Sequence, residues 1–141
     1  MMPVMKRWTC PRCDREFGKA NQAHTCVPGI TVDECFAGRP PWQRPIFDAI
    51  VGHLTSLGEV HADAVYVGVF LKRTQKFADA RPKVRSLSLE LVLPRTVESA
   101  RVQKHLTIAP TRIVHIVKLT DIVQVDDELR AWLTESYDNA G

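Results

Sequence analysis

The residues best suited to chemistry lie in one stretch, Trp8 to Cys26, with the sequence WTCPRCDREFGKANQAHTC. It holds three of the four cysteines of the chain and the first histidine. A CxxC pair followed by an HxC pair is typical of a tetrahedral zinc site, because both thiolate and imidazole groups bind Zn²⁺. The spacing therefore predicts one structural Zn²⁺ per chain, bound by Cys10, Cys13, His24 and Cys26.

Three other uses of these cysteines have to be compared with a structural zinc site. Disulfides are disfavoured because the chain opens MMPVMKRW, with no apolar segment that would indicate export to an oxidising compartment. A redox CxxC normally begins a helix after a strand, whereas this pair follows a basic segment that contains proline. A catalytic zinc keeps an open coordination position, and four clustered N and S ligands leave none. The structural site is the favoured interpretation.

The fourth ligand is a choice between Cys26 and Cys35. An HxC pair places both of its ligands on one short loop, which favours Cys26. Cys35 is followed by Phe36 and looks like a residue of the next segment. We therefore predict that Cys35 is a buried or half-buried free thiol outside the metal site.

Length and composition are those of an ordinary globular protein. The chain has 141 residues, of which 45% are hydrophobic and 25% charged, and this suits one compact domain with an appendage. There is no run of about 18 apolar residues that could cross a membrane. Together with the reduced cysteines that a zinc site needs, this predicts a soluble cytoplasmic protein.

Basic residues are concentrated in the middle of the chain, although the net charge is only +3. Residues 72–118 contain eleven basic and three acidic residues, whereas residues 121–141 contain one basic and six acidic. Tyr66 and Phe77 are available for stacking, and such a run can hold a phosphate backbone. The candidate contacts are Lys72, Arg73, Lys76, Arg81, Lys83 and Arg85. Two other interpretations remain open: a solvated strand face, and neutralisation by the acidic end within the fold or across a dimer.

Proline and glycine placement divides the chain into three segments. Six of the nine prolines fall in the first 45 residues, so that part is not expected to be helical. We predict a zinc-binding module over residues 1–28, a linker packed on the domain over residues 29–44, and a main domain over residues 45–141.

Hydrophobic periodicity gives the elements of the main domain. Helical spacing predicts one helix from Pro45 to Gly58 and a second over VDDELRAWLTESYD. The segments AVYVGVFLK, KFADARP, VRSLSLELVLP and TRIVHIVKL each predict one strand, and residues 94–110 are predicted to be a long loop. The expected fold is α+β, with two helices packed on one face of a four-stranded, mainly antiparallel sheet.

Catalytic motifs are weak in this sequence. It contains no Gly-rich phosphate-binding motif and no (D/E)xK pair of the kind found in metal-dependent nucleases. Histidines could meet Asp63 or Cys35 in space, although isolated histidines are more often structural; they are His53, His61, His105 and His115. A binding or regulatory protein that contacts nucleic acid is favoured over an enzyme. A protein–protein adaptor and an unrecognised small-molecule enzyme are the alternatives.

Six segments spread over nearly the whole chain carry a resemblance to other proteins. They are WTCPRCDREF, QAHTC, FAG, PIFDAIVGHL, LELVLP and DDELRAWLTESYD. Together they resemble a family of bacterial proteins known only as a domain of unknown function, in which a short zinc-binding N-terminus precedes a compact α+β domain. The paired cysteines with QxHxC and the terminal ELxxWLxESY are the more specific parts. The resemblance implies the same four zinc ligands and an intracellular bacterial protein, and it implies no activity.

Overall fold

The computed structural model describes residues 7–22, 24 and 26–141, so residues 1–6, 23 and 25 of the predicted zinc-binding module lie outside the described residues. The chain begins with the short strands β1 (Trp8–Thr9) and β2 (Glu16–Phe17), followed by helices α1 (Val32–Phe36) and α2 (Gln43–Leu57). Six strands follow: β3 (His61–Val65), β4 (Gly68–Lys72), β5 (Lys76–Pro82), β6 (Leu87–Leu93), β7 (Val102–Ala109) and β8 (Arg112–Leu119). A 3₁₀ helix (Ile122–Gln124) and helix α3 (Asp127–Asp138) complete the described structure.

The main sheet has six strands in the order β3-β4-β5-β6-β8-β7, and all neighbouring strands are antiparallel. Strands β1 and β2 form a separate two-stranded sheet. The predicted four-stranded sheet with two helices is therefore wrong: the described residues form six strands in the main sheet and three α-helices. Three of the four predicted strand segments do form single strands, namely β5, β6 and β8.

One error lies in the segment AVYVGVFLK, which forms a hairpin instead of a single strand. β3 and β4 pair directly across the two turn residues Tyr66 and Val67, with Val65 opposite Gly68. Gly68 is required by close packing, since a Cβ atom there would lie 2.6 Å from the carbonyl oxygen of Ala80 in β5. Tyr and Val are strand formers and not turn residues, so the turn gives no sequence signal of its own.

A second error lies in residues 94–110, which contain strand β7 instead of only a loop. β7 is the edge strand beside β8, and most of its residues are exposed. Leu106 and Ile108 keep 47% and 60% of their surface exposed. Because an edge strand buries little of either face, its sequence lacks the apolar alternation that identifies β6 and β8.

Helix α1 lies inside the segment that was predicted to be a linker. Thr31 and Glu34 form a reciprocal capping box with two hydrogen bonds of 3.0 Å at its N-terminus. Phe36 is buried and its ring centroid lies 5.1 Å from that of Phe47 in α2. Cys35 is buried beside it as a free thiol, which confirms that prediction.

The core lies between the helices and the sheet. Strand β6 supplies four leucines with no exposed surface, at positions 87, 89, 91 and 93. Helix α2 contributes Ile46, Ile50 and Leu54 to the same core cluster, and α3 contributes Leu129 and Leu133. None of the helices in the described part of the chain combines the length and the apolar composition needed to cross a membrane.

His115 of β8 is a polar residue enclosed in this structure, with 1% of its surface exposed. Its Nδ1 lies 2.9 Å from the carbonyl oxygen of Ile113, and its Nε2 accepts a hydrogen bond of 2.9 Å from the backbone N–H of Val97. Accepting that bond requires an unprotonated Nε2, so Nδ1 carries the proton and the ring is neutral. Burial lowers the pKa of His115, in agreement with this bonding pattern.

We expect His115 to make the protein less stable in mild acid. Its pKa is lowered in the folded state, so below the unfolded value of about 6.5 the unfolded chain binds a proton that the folded chain excludes. The free energy of unfolding should therefore fall as the pH drops through the unfolded value of about 6.5 towards the lowered pKa of the folded state. Urea denaturation should show a smaller fall for His115→Gln than for the original protein. An unchanged pH dependence in His115→Gln would contradict this assignment.

Candidate metal centre

The β1–β2 hairpin brings the first two candidate ligands together. Cys10 follows β1, and its backbone N–H donates to the carbonyl oxygen of Arg15 over 2.9 Å. The backbone N–H of Asp14 in turn donates to the carbonyl oxygen of Cys10 over 2.8 Å. Asp14 adopts a positive φ of 59°, which closes the tight turn that carries Cys13. The knuckle is thus held by local backbone bonds.

All four predicted ligands come together: Sγ of Cys10, Cys13 and Cys26 and a ring nitrogen of His24 lie within 4.8 Å of one another. The two sulfurs of Cys10 and Cys26 are 3.8 Å apart. Nε2 of His24 is 3.6 Å from Sγ of Cys13 and 3.3 Å from Sγ of Cys26. A metal with bonds of about 2.0–2.3 Å gives tetrahedral edges of about 3.3–3.8 Å. The cluster can therefore hold a metal ion.

The imidazole of His24 is oriented by neighbours that do not belong to the cluster. Its Nδ1 donates to the carbonyl oxygen of Gln22 over 2.6 Å, which leaves Nε2 unprotonated and facing the sulfurs. The ring of Phe17 stacks on it at a centroid distance of 4.0 Å, and Trp8 meets it edge-on at 6.2 Å. The ligand atom is thus presented by a hydrogen bond and two aromatic contacts.

Electrostatics of the thiols also favour a cation at this position. Burial raises the pKa of the Cys10 thiol. Hydrogen bonds from the backbone of Arg12 and Cys13 and from the side chains of His24 and Cys13 outweigh this effect and lower the pKa to about 6. Burial raises the pKa of Cys26, and the hydrogen bond with Cys10 and the negative charges of Cys10 and Cys13 raise it more. Neighbouring thiolates repel one another, and a bound cation removes that repulsion.

A buried ion cluster joins the metal hairpin to the sheet. The carboxylate of Asp63 in β3 accepts two contacts from Arg15. Nε of Arg15 donates to Oδ1 over 3.1 Å, and Nη2 lies 2.9 Å from Oδ2. Nζ of Lys72 in β4 lies 2.7 Å from Oδ2 of the same carboxylate. All three side chains are only 5% exposed. Burial raises the pKa of Asp63, but hydrogen bonds from Arg15 and Lys72 lower it by more, so the carboxylate stays ionised.

This ion cluster was not predicted from the sequence, which assigned Lys72 to a nucleic-acid surface and gave Asp63 no cationic partner. The sequence held one indication for Lys72: it directly follows Leu71 and ends an apolar strand, a position where a lysine can be buried and paired with a carboxylate. The partner could not be found, since Arg15 is 48 residues away from Asp63 in the chain.

The other predicted nucleic-acid contacts divide into bonded and exposed residues. Lys76 and Arg81 lie 2.8 and 3.1 Å from the buried carboxylate of Asp79. Arg73 donates to the carbonyl oxygen of Tyr137 over 3.0 Å and covers its ring. Lys83 and Arg85 are exposed beside the β5–β6 turn.

The two candidate stacking residues also differ in access. Phe77 is 1% exposed and packs against Tyr137 in the core, so its ring cannot receive a base. Tyr66, at the tip of the β3–β4 hairpin, keeps 79% of its surface exposed.

The candidate catalytic histidines have separate partners. Nε2 of His53 lies 2.8 Å from the hydroxyl of Thr134, and Nε2 of His105 lies 3.5 Å from Glu98. His61 faces Glu16 at 3.9 Å, and its pKa is lowered by burial and by the charge of Arg7. Asp63 is occupied by its two cations, and Cys35 lies in the core cluster. The described residues thus do not gather these groups into one site.

Comparison with known proteins gives one family match. Residues 32–140 match the family described as Domain of unknown function (DUF5655). No curated protein and no solved structure matches the chain. The match begins after Cys26, so the Cys/His segment that seemed to belong to the family resemblance lies outside the matched range. The predicted resemblance to an uncharacterised family is nevertheless confirmed: because the match spans most of its length, the chain belongs to the DUF5655 family.

Proposed function

We propose that this chain is a non-enzymatic intracellular binding protein whose N-terminal hairpin is held by one structural Zn²⁺. The observation that carries the proposal is the gathering of three thiols and one imidazole nitrogen within 4.8 Å of one another, with three of their distances, 3.3, 3.6 and 3.8 Å, at the edge lengths of a metal-centred tetrahedron. Four such ligands leave no open position for a substrate, which is typical of structural sites. Binding Zn²⁺ through three thiolates needs reduced cysteines, and a reducing intracellular compartment keeps them so.

The metal would stabilise a segment that has little core of its own. Phe17 is the large side chain that the hairpin buries, with 2% exposed. A hairpin of this size is marginal in water, so metal binding would supply much of its folding free energy. Holding Cys10 and Cys13 to His24 and Cys26 would also fix Arg15 and Phe17 against the sheet.

Metal analysis of the purified protein is the direct test. We expect one zinc per chain, and loss of that zinc in Cys10→Ala and Cys26→Ala, because three ligands bind far more weakly than four. Cys35→Ala is the matched control, since it removes a buried thiol that is not in the cluster. Absence of zinc from protein prepared without chelators, or zinc lost in Cys35→Ala but retained in Cys26→Ala, would refute the proposal.

The domain boundaries form a second part of the proposal: the main domain folds without the zinc module. Support comes from the core, which is built from α2, α3 and the six-stranded sheet. Helix α1 is the exception, because Phe36 belongs to that core and is 8% exposed. The family match likewise begins at Val32, the first residue of α1.

Two truncated chains test this boundary. A fragment from Gly29 to Gly141 keeps α1, and a fragment from Gly38 to Gly141 lacks it. We expect both to unfold cooperatively on heating, followed by far-UV circular dichroism. The shorter fragment should be less stable by more than about 2–3 kcal/mol, the value of burying one phenylalanine, because buried Cys35 and the packed Ile30 and Val32 are lost together with Phe36. A fragment from Gly29 without a cooperative transition would mean that the metal hairpin is part of the folding unit.

Contact with nucleic acid is a second candidate function, favoured by two exposed cations. Lys83 and Arg85 lie at one turn of the sheet. The remaining candidates, Lys72, Arg73, Lys76 and Arg81, are engaged by carboxylate or carbonyl groups. A surface with two available cations would contact few phosphates. A protein partner without nucleic-acid contact is the alternative.

Salt dependence distinguishes these possibilities. Each phosphate neutralised contributes a slope of about −0.9 to the logarithm of affinity against the logarithm of salt for duplex DNA, so two contacts give about −2. Fluorescence anisotropy with labelled duplex and single-stranded DNA should show this slope, and Lys83→Ala with Arg85→Ala should remove the binding. Lys19→Ala is the control, because Lys19 is exposed and follows Gly18, which lies against Thr74 at the opposite end of β5 from the Lys83–Arg85 turn. No binding at low salt would eliminate nucleic acid as a partner.

A further inference from the structure

The two edges of the main sheet differ in how they are covered. At the β3 edge, Gly29 forms a bridge with Val65, and the backbone N–H of Ile30 donates to the carbonyl oxygen of Ala64 over 2.9 Å. At the other edge, β7 has no strand beside it except β8 among the described residues. Every second residue of an antiparallel strand directs its N–H and C=O away from its neighbour. The β7 edge can therefore pair with a further strand.

Strand pairing shows which face of the sheet the β7 side chains occupy. Leu106 lies opposite Val114, and Lys104 lies opposite Ile116. Residues that pair across two strands point to the same face. Val114 and Ile116 alternate with the buried residues of β8, which belong to the core beneath helices α2 and α3. Leu106 and Lys104 therefore lie on the face of the sheet that these helices leave open.

The metal hairpin covers this open face only at the β3 and β4 end. Pairing traces one row of side chains across five strands, formed by Asp63, Phe70, Asp79, Glu90 and Ile116. Arg15 of the hairpin binds the first of them and lies 5.5 Å from the ring centroid of the second. At the other end, Val114 and Ile116 are half-buried and Leu106 is exposed. An apolar strip thus lies uncovered by the described residues beside the β7 edge.

The charge beside this strip is positive. Lys104 on β7 and Lys118 on β8 are exposed, and no ion pair within the described part of the chain includes either of them. Glu90, on the same face, already has Arg81 at 3.6 Å. Cations without a carboxylate partner next to an apolar surface favour a partner that brings both carboxylates and apolar side chains.

The same charge disfavours a second copy of this chain as the occupant. Pairing two β7 strands would place Lys104 of both copies on one small surface, and an edge lysine is a common means of preventing such pairing. Glu98 contacts His105 at 3.5 Å, but His105 pairs with His115 and so belongs to the helix-covered face. It therefore does not neutralise the lysine on the open face.

We propose that β7 is the docking edge for an extended acidic segment of a partner protein, which adds a seventh strand to the sheet. Main-chain hydrogen bonds would supply affinity, and side chains at alternate positions would supply specificity. Apolar side chains of the segment would pack on Leu106, and a carboxylate would meet Lys104. The inference rests on the proposed binding role, to which it gives a class of partner. It does not depend on zinc, because β7 and the hairpin-covered β3 are opposite edges of the sheet.

Fluorescence anisotropy of the full-length protein with short labelled peptides tests the proposal. In the probe, threonine alternates with a second set of residues, two valines flanked by two glutamates, so that valine and glutamate share one face in either strand direction. One control peptide carries lysine instead of glutamate. Another is N-methylated at two successive central residues, which removes a main-chain donor that would face β7. We expect saturable binding of one probe per chain, and at least about tenfold weaker binding of both controls.

Variants of two exposed β7 residues locate the contact. Lys104→Glu should weaken binding of the glutamate probe about tenfold or more, and it should bind the lysine peptide more tightly than the original protein does. Leu106→Ser should weaken the probe because the apolar contact is lost. Lys19→Glu is the matched control, since Lys19 is an exposed lysine that follows the metal hairpin strand β2. Far-UV circular dichroism should show that all three variants remain folded.

Each contrary result has a distinct meaning. Absence of saturable probe binding, or equal binding of the glutamate and lysine peptides, would overturn the class of partner. Unchanged probe binding in Lys104→Glu would overturn the location. A dimer detected by sedimentation that Leu106→Ser dissociates would assign the edge to a second copy and overturn the proposal. Zinc analysis of the same samples keeps the two proposals apart: one zinc per chain without peptide binding refutes only the docking edge, and peptide binding by protein that never carried zinc refutes only the metal site.

Discussion

The carboxylate of Asp63 imposes the strongest constraint on how the parts of this protein fit together. A buried ion costs several kcal/mol unless charges and hydrogen bonds compensate it, and removing one partner of a buried pair typically costs about 3–5 kcal/mol. Compensation comes from two elements: Lys72 on the neighbouring strand and Arg15 on the metal hairpin. The hairpin that covers Asp63 is also the one that supplies its second cation. Removing the hairpin would therefore expose the carboxylate to water and delete a partner in the same step.

A chain of contacts connects the metal cluster to that carboxylate. The imidazole of His24 stacks on Phe17 at 4.0 Å, and Nζ of Lys72 lies 4.0 Å from the centroid of the same phenylalanine ring. Nζ of Lys72 also donates to the carbonyl oxygen of Glu16 over 3.4 Å. A shift of His24 would thus change the surroundings of Lys72 and Asp63. The metal cluster and the edge of the sheet share residues, although they come from segments far apart in the chain.

Local spacing explains which features could be predicted from the sequence. Cys10 and Cys13 lie in one turn and His24 and Cys26 in one short loop, so few chain conformations bring four ligands together. Helix α3 and strand β6 are equally local patterns, because each buries one face completely. Strand β7 and the β3–β4 turn lack such patterns: the first is exposed at an edge, and the second uses Tyr66 and Val67 where turn residues are expected. The six-stranded sheet was missed at these two places.

The basic run shows why a charge count alone does not define a surface. Asp79 and Glu90 lie directly opposite each other on β5 and β6, and like charges at that position destabilise a sheet. Burial and the neighbouring Asp79 raise the pKa of Glu90, and the charges of Arg81 and Lys76 counteract that shift. These two cations are therefore needed by the sheet itself. Arg101 meets Asp126 at 2.9 Å and Glu128 at 3.1 Å, so the acidic C-terminal segment neutralises part of the run within the fold. What each cation can do is decided by the carboxylate that lies opposite it, and the linear sequence does not contain that pairing.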